Sequence, residues 1–433
     1  MSPIIIGIIG IVVLFLLFAI KVPIAFATMI VGVIGCAVLL TPEAAFSVLT
    51  TNMFSQLGSY SLSVITMFVL MGSYALSVGM GRRLYVAAFR LVGHLPGGLT
   101  IATILSCAGF AALCASSPAT TATIGPMALP EMRKYNYSDS LSTGTIASAG
   151  ILGILIPPST ILIVYGTLVE ESIGKLFIAG ILPGVLLTLL FAGTVGFICW
   201  RNPAAGPAGA SSTWKEKLIA FANATDVIII FVLVLVGIFL GWFSPARAGA
   251  IGAIAILVLG LIRRELTWRG FLAATKDGLL TSCMILFVIT GAVIFGRFLA
   301  VSGISFGLAD GLLALALPPV ATVGIICFFF FVFGCFMDTM ALTVLIVPIL
   351  YGVLVALDIN LIWFGVILVL LAGAGVITPP VGVNVFVVKG FAPDVPTMTI
   401  FKGALPFLIA IVVCICIIMA FPQIATFLPA MIK

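Results

Sequence analysis

Gly375-Val376-Ile377-Thr378-Pro379-Pro380-Val381-Gly382-Val383-Asn384 lies inside an apolar stretch, Ile359 to Val388, that is long enough to span a bilayer. Two adjacent prolines remove two backbone donors, so the carbonyls one turn earlier, at Gly375 and Val376, lose their helical partners. In hydrocarbon an unpaired carbonyl is expensive, and the defect has to be buried in protein or face a wet cavity. A second copy, Gly153-Ile154-Leu155-Ile156-Pro157-Pro158-Ser159-Thr160, stands 222 residues upstream (375 − 153). Two broken helices at equivalent positions of two halves are the sequence mark of a secondary transporter's binding site.

The composition points the same way. The chain has 433 residues, 63% hydrophobic and 7% charged, with a net charge of +6. That is too apolar for a soluble protein and fits a multi-span membrane protein. The nine cysteines have neither zinc nor redox spacing and read as small buried hydrophobes. Lys21 follows the first apolar run instead of preceding it, the reverse of a signal peptide, so that segment is expected to be retained.

Read in order, Pro3–Ile20, Val22–Leu40 and Ser61–Val78 are spans. Gly97–Cys114 and Pro118–Pro130 are two apolar legs meeting at Ser116-Ser117. Ser140–Val169 holds the first break, and Ile173–Trp200 spans back. A Pro-, Ala-, Gly- and Ser-rich linker covers 201–217. Val227–Phe243, Ala246–Ile262 and Leu279–Val301 are further spans. Pro319–Cys335 and Thr339–Leu357 are again two legs, meeting at Asp338, before the second break and a last span, Ile400–Phe421.

The same offset pairs Gly81 with Gly303, Pro96 with Pro318, Ser116 with Asp338, Ser117 with Thr339, and Pro126 with Pro348. Charge placement then sets the relation between the repeats. Arg82, Arg83, Arg90, Arg133 and Lys134 flank the first hairpin, whereas positions 304, 305, 312, 355 and 356 are uncharged. Positive loops mark the cytoplasmic side, so the hairpins are expected to open to opposite sides. Ten spans and two re-entrant hairpins put both termini in the periplasm. Lys175, Arg247 and Lys433 then fall outside and Arg297 near or within the membrane, leaving 15 of the 19 Lys and Arg inside. The fold class expected is an all-α polytopic membrane protein built on inverted repeats.

The polar residues inside these runs carry the chemistry. The first tip, Cys114-Ala115-Ser116-Ser117, offers hydroxyls and turn carbonyls, which are hard neutral ligands for a small hard cation. The second, Phe336-Met337-Asp338-Thr339, adds a carboxylate. An ionisable group at membrane depth costs about 2.5–3.5 kcal/mol and reads first as functional. Asp338 also has the sequence position of an N-cap, and the two roles are compatible. Each tip and its facing break supply one cage. Ser116, Ser117, Gly153 and Pro157 are the expected ligands of one sodium ion, and Asp338, Thr339, Gly375, Thr378 and Pro379 those of another. Half-helix N-termini at the breaks attract anionic groups, which favours a carboxylate-bearing substrate. Thr120, Ser159, Thr160 and Asn384 are its neutral hydrogen-bonding candidates. Arg297 either pairs with the substrate carboxylate or snorkels to an interface.

Other classes lack material. There is one histidine, His94, beside a basic loop, which leaves nothing for a His-ligated haem or a Ser-His dyad. No Gly-rich Walker run is present, so no ATP hydrolysis is expected. An ion channel is the stronger rival, but channels rely on rings of subunits rather than on internal inverted hairpins. Neither an enzymatic cofactor nor a nucleic-acid partner is expected.

Cys114–Pro130, Gly153–Gly166, Lys175–Gly184, Phe336–Pro348 and Thr378–Phe386 together resemble the large membrane subunit, of DctM type, of tripartite ATP-independent periplasmic (TRAP) transporters. The resemblance covers nearly the whole chain. It implies an elevator-type sodium symporter of the bacterial inner membrane for organic anions such as C4-dicarboxylates, sialic acid and other sugar acids. It implies two partners, a small four-helix membrane subunit and a soluble periplasmic substrate-binding protein. A stand-alone sodium- or proton-coupled anion transporter of the same architecture is the alternative. On this reading 1–96 are scaffold helices and 97–172 the first transport half. Residues 173–276 return to the scaffold, and 277–317 are a scaffold helix and arm. The second transport half is 318–390, and 391–433 form a C-terminal scaffold helix. Two departures stand out. Leu371-Ala372-Gly373-Ala374-Gly375 replaces the Asn-x-Glu-Ile-Gly of many members, and Ser244-Pro245-Ala246-Arg247-Ala248 replaces Thr-Pro-Thr-Glu-Ala. The first removes an acid from beside the second break.

Overall fold

The computed structural model describes residues 2–314 and 319–431. Pro318 and Lys433, which enter the repeat and the charge count above, lie outside the described residues. The chain opens with α1 (Pro3–Ala19), α2 (Ile24–Leu39), α3 (Pro42–Leu57), α4 (Ser63–Ser77) and α5 (Met80–Val92). The first hairpin is α6 (Gly98–Cys114) and α7 (Ser117–Lys134). The first broken helix is α8 (Asp139–Ala149), α9 (Leu152–Leu155) and α10 (Thr160–Leu168). Then come α11 (Ile173–Ala179), α12 (Ile181–Arg201), α13 (Trp214–Phe239), α14 (Pro245–Ile262), α15 (Trp268–Ser302) and α16 (Ile304–Ala314). The second hairpin is α17 (Pro319–Gly334) and α18 (Thr339–Ala356), and the second broken helix is α19 (Leu361–Gly375) and α20 (Val383–Phe391). The chain closes with α21 (Thr397–Ala420) and α22 (Gln423–Ala430).

Local chemistry starts many of these helices. Thr41, Ser138, Ser159, Ser172, Ser244, Thr267 and Asn360 each accept a first-turn N–H on the side chain. Thr213 and Glu216 form a reciprocal capping box at α13. Among the described residues seven helices are long and apolar enough to cross a bilayer, and eight if the bent pair around the first break is one span. The ten expected spans include α1 and α2, which have 17 and 16 residues. At 1.5 Å per residue each is about 25 Å long, short of a typical ~30 Å hydrocarbon core. Four helices lie outside the expected spans and hairpin legs: α3, α5 with its arginines on one face, α16 and α22.

Helix boundaries recur at the offset of the sequence repeat. α7 and α18 start at 117 and 339 and end at 134 and 356, and α8 and α19 start at 139 and 361. Both hairpins close in left-handed residues at matching positions, Asn136 (φ 58°) and Asp358 (φ 52°). The peptide bonds Pro157-Pro158 and Pro379-Pro380 are both cis.

Packing sorts the helices into two groups. α2 and α15 lie side by side, with α1, α3 and α4 against them. The hairpins and broken helices form the other group. Two helices that the sequence reading assigns to the scaffold, α12 and α21, pack against the broken helices. α21 crosses α8 at Gly144 and Gly403, where a Cβ on Gly403 would stand 1.9 Å from the Ser140 carbonyl oxygen. α12 meets α21 edge-to-face through Phe191 and Phe407, with ring centres 5.3 Å apart. Trp363 of α19 donates its indole N–H to the Ile418 carbonyl of α21 at 3.0 Å.

Candidate functional site

The two tips and the two breaks meet in different ways. Segment 151–160, which contains the first break, is buried throughout. Gly153 presses on the first tip, and a Cβ there would come within 2.4 Å of Thr120 Oγ1 and 2.7 Å of the Ser116 carbonyl oxygen. Thr160 Oγ1 donates to the Ala115 carbonyl at 2.9 Å, which ties the half-helix after the break to the tip. Ser159 donates to the Ile154 carbonyl, one of the two carbonyls that the proline pair leaves without an N–H, and also caps α10. Gly153 has the other such carbonyl, because Pro157 has no N–H to give it. Thr120, Gly153, Pro157, Ser159 and Thr160, all buried, and the half-buried Ser116 therefore share one uncharged, oxygen-rich region.

Asn384 joins the halves. It starts the half-helix after the second break and is fully buried. Its Nδ2 donates to Ser117 Oγ of the first tip at 2.8 Å and to the Ala147 carbonyl of α8 at 2.8 Å. Among the described residues its Oδ1 is buried with no hydrogen-bond partner, as are the hydroxyls of Ser142, Thr145 and Ser148 on α8. These three hydroxyls went unread in the sequence. Their signal is a spacing of three along one face of a helix inside an apolar segment.

The second tip is more open. A Cβ on Gly375 would lie 2.3 Å from the Gly334 carbonyl oxygen, and Val381 N–H donates to the Cys335 carbonyl at 3.2 Å, so break and tip touch. Pro379 and Pro380 are exposed, whereas Pro157 and Pro158 are buried. Asp338 is exposed, and its Oδ1 accepts the Met340 and Ala341 N–H groups at 2.8 and 3.0 Å, which caps α18. Thr339 is half-buried, and its carbonyl accepts the Thr343 hydroxyl at 2.7 Å. Thr378 donates its hydroxyl to the Ala374 carbonyl at 2.7 Å. Among the described residues no hydrogen bond joins Asp338 to Gly375, Thr378 or Pro379. The two carbonyls expected to stand unpaired here are paired. Gly375 O accepts Thr378 N–H at 3.1 Å, and Val376 O accepts Asn384 N–H at 3.0 Å. The chain turns tightly after Gly375 and re-enters α20, which brings new donors to the orphaned oxygens.

Arg297 lies elsewhere. It is exposed on α15 and lines a groove with Ser47, Thr51 and Asn52 of α3, which contains neither tip nor break. At the base of the first hairpin, Arg133 Nη2 meets Asp394 Oδ2 at 2.5 Å and its Nε meets Asp139 Oδ1 at 3.5 Å. This clamp joins the end of α7, the start of α8 and the loop after α20. The Arg133 guanidinium holds the Asp394 carboxyl below the usual carboxylate range.

Residues 11–424 match the family described as "Tripartite ATP-independent periplasmic transporter, DctM component". The chain belongs to this family. As a DctM-type large TRAP subunit it is a transporter component and not an enzyme. It is 34% identical over 393 residues to the C4-dicarboxylate TRAP transporter large permease protein DctM of Pseudomonas aeruginosa, covering 90% of this chain and 91% of that one. It is 30% identical over 415 residues to the sialic acid TRAP transporter large permease protein SiaM of Vibrio cholerae, covering 96% of each. Among solved structures, the YdaH transporter of Alcanivorax borkumensis shares the fold, with a TM-score of 0.65 at 15% identity over 97% of this chain and 98% of that one.

Proposed function

We propose that this TRAP permease uses a sodium gradient to drive uptake of an organic acid anion across the bacterial inner membrane. The observation that carries the proposal is the buried junction at Asn384, where one side chain from the second half hydrogen-bonds the tip and broken helix of the first. A site assembled from both halves lets ion binding at one tip alter the other. Neutral oxygens at Ser116, Ser117 and Gly153 suit a sodium ion, and Asp338 at the second tip gives the two cation sites unequal charge. The substrate carboxylate would sit between the tips, near Thr120, Thr160 and Asn384. The hairpins and broken helices, together with α12 and α21, would slide as one body against the α2–α15 scaffold.

In this reading a periplasmic binding protein delivers the substrate and a small four-helix subunit extends the scaffold. Both termini are periplasmic. The substrate class is a C4-dicarboxylate, sialic acid or another sugar acid. The test is uptake in proteoliposomes with purified partners, offering candidate acids with and without an inward sodium gradient. Saturable, sodium-dependent uptake is expected. Uptake unaffected by sodium would remove the coupling, and large single-channel conductance would favour a channel.

A further inference from the structure

A cavity of about 540 Å³ opens where α4 turns into α5, against α13 and the end of α14. Arg82, Arg83, Arg263, Glu265, Ser77 and Asn223 are among the residues that line it. Two of the three guanidiniums, those of Arg83 and Arg263, share two carboxylates, Asp226 and Glu265. Arg83 reaches Asp226 through Nη1 and Glu265 Oε2 through Nη2, the latter at 2.9 Å. Arg263 Nη2 reaches the same Asp226 Oδ2 at 3.0 Å. Asp226 also accepts the Val227 N–H at 2.9 Å, so its oxygens are crowded with donors. Arg82 is exposed and makes no ion pair among the described residues. Arg83 Nε is buried with no acceptor among the described residues. One positive charge and several donors are therefore left over in a pocket with room for an anion.

The depth of the pocket narrows the choice of anion. It lies where spans end, α4 at Ser77 and α14 at Ile262. Trp214 and Trp268, which start α13 and α15, are 80% and 71% exposed nearby, as in an interfacial aromatic belt. Ile219 and Phe221, on either side of Ala220 of the cavity wall, are 52% and 48% exposed and offer an apolar surface beside the basic one. Planar guanidinium forks match phosphate oxygens bidentately.

We propose that this cavity binds the phosphate group of an anionic phospholipid. The bound headgroup neutralises the surplus arginine charge and clamps the α4–α5 corner to the end of α14, and α5 is the helix that leads into the first hairpin. The test is native mass spectrometry of the full chain, purified in detergent and offered phosphatidylglycerol or phosphatidylcholine. The wild type is expected to retain phosphatidylglycerol preferentially. Arg82→Gln, at an exposed and unpaired position, is expected to lower that preference about fivefold, the value of one basic side chain at an anionic surface. Glu265→Gln, which frees Arg83, is expected to raise it. Equal retention of both lipids by the wild type overturns the proposal. A parallel arm measures melting with inorganic phosphate. A phosphate shift that Arg82→Gln abolishes, with no lipid preference, assigns the pocket to free phosphate and contradicts the lipid reading.

Discussion

Asn384 and Asp338 are the residues on which the account turns. Asn384→Ala deletes two buried hydrogen bonds and strands Ser117 Oγ. Leaving such a group unpaired costs about 1–3 kcal/mol, so a lower melting temperature and sharply reduced uptake are expected. Asp338→Asn separates two roles of one side chain. Asparagine caps a helix about as well as aspartate, so α18 keeps its start while the charge is lost. Transport should then need more sodium at neutral pH with assembly intact, and unchanged sodium dependence would reduce Asp338 to a cap. Ser116→Ala should weaken sodium activation more mildly, because neighbouring carbonyls remain. The sequence made these side chains legible as polar groups in apolar runs. It could not show that Asn384 faces the other half, because a contact across 267 residues is set by packing. Nor could it show that Thr378 and Asn384 supply N–H groups to the carbonyls freed at the second break.

Between elements, close backbone approach and one charged clamp hold the hairpins and broken helices to their neighbours. A side chain at position 403 would enter the Ser140 carbonyl. Gly403→Leu is therefore expected to destabilise the protein by about 1–3 kcal/mol or more and to impair uptake, read by thermal unfolding in detergent. The Arg133–Asp394 pair has a defined pH sense. The Asp394 carboxyl is depressed in the folded state, so its contribution is present above the unfolded value of about 3.9 and is lost as pH falls through the lower folded value. Asp394→Asn should flatten that acid-side loss in a melting series and leave stability at pH 7 little changed, since the pair is exposed. Both hairpins and both breaks were legible as elements, because paired prolines and polar tips interrupt apolar runs at one fixed offset. α5 was not, because its apolar run Leu84–Phe89 is closed off by Arg83 and Arg90 and is far too short to read as a span. The docking of α12 and α21 was hidden as well, since a glycine in an apolar helix does not name the neighbour it admits.

For the whole molecule, an inverted relation of the two halves is what would turn two similar hairpins into the proposed alternating-access device. Helix boundaries, left-handed turn residues and proline pairs all recur at the same spacing. The asymmetry lies in the charges, with arginines around the first hairpin and none at the matching positions of the second. Sidedness of the turns at Asn136 and Asp358 therefore bears on the architecture, the orientation and the transport reading together. The measurement replaces the nine native cysteines and places a single cysteine at one of these two turns, then labels whole cells with a membrane-impermeant thiol reagent before and after permeabilisation. The account predicts that Asp358→Cys reacts from outside in intact cells and that Asn136→Cys reacts only once the cytoplasm is opened. Both turns reacting from the same side would contradict the inverted repeat, and with it the paired cation cages and the elevator built on them.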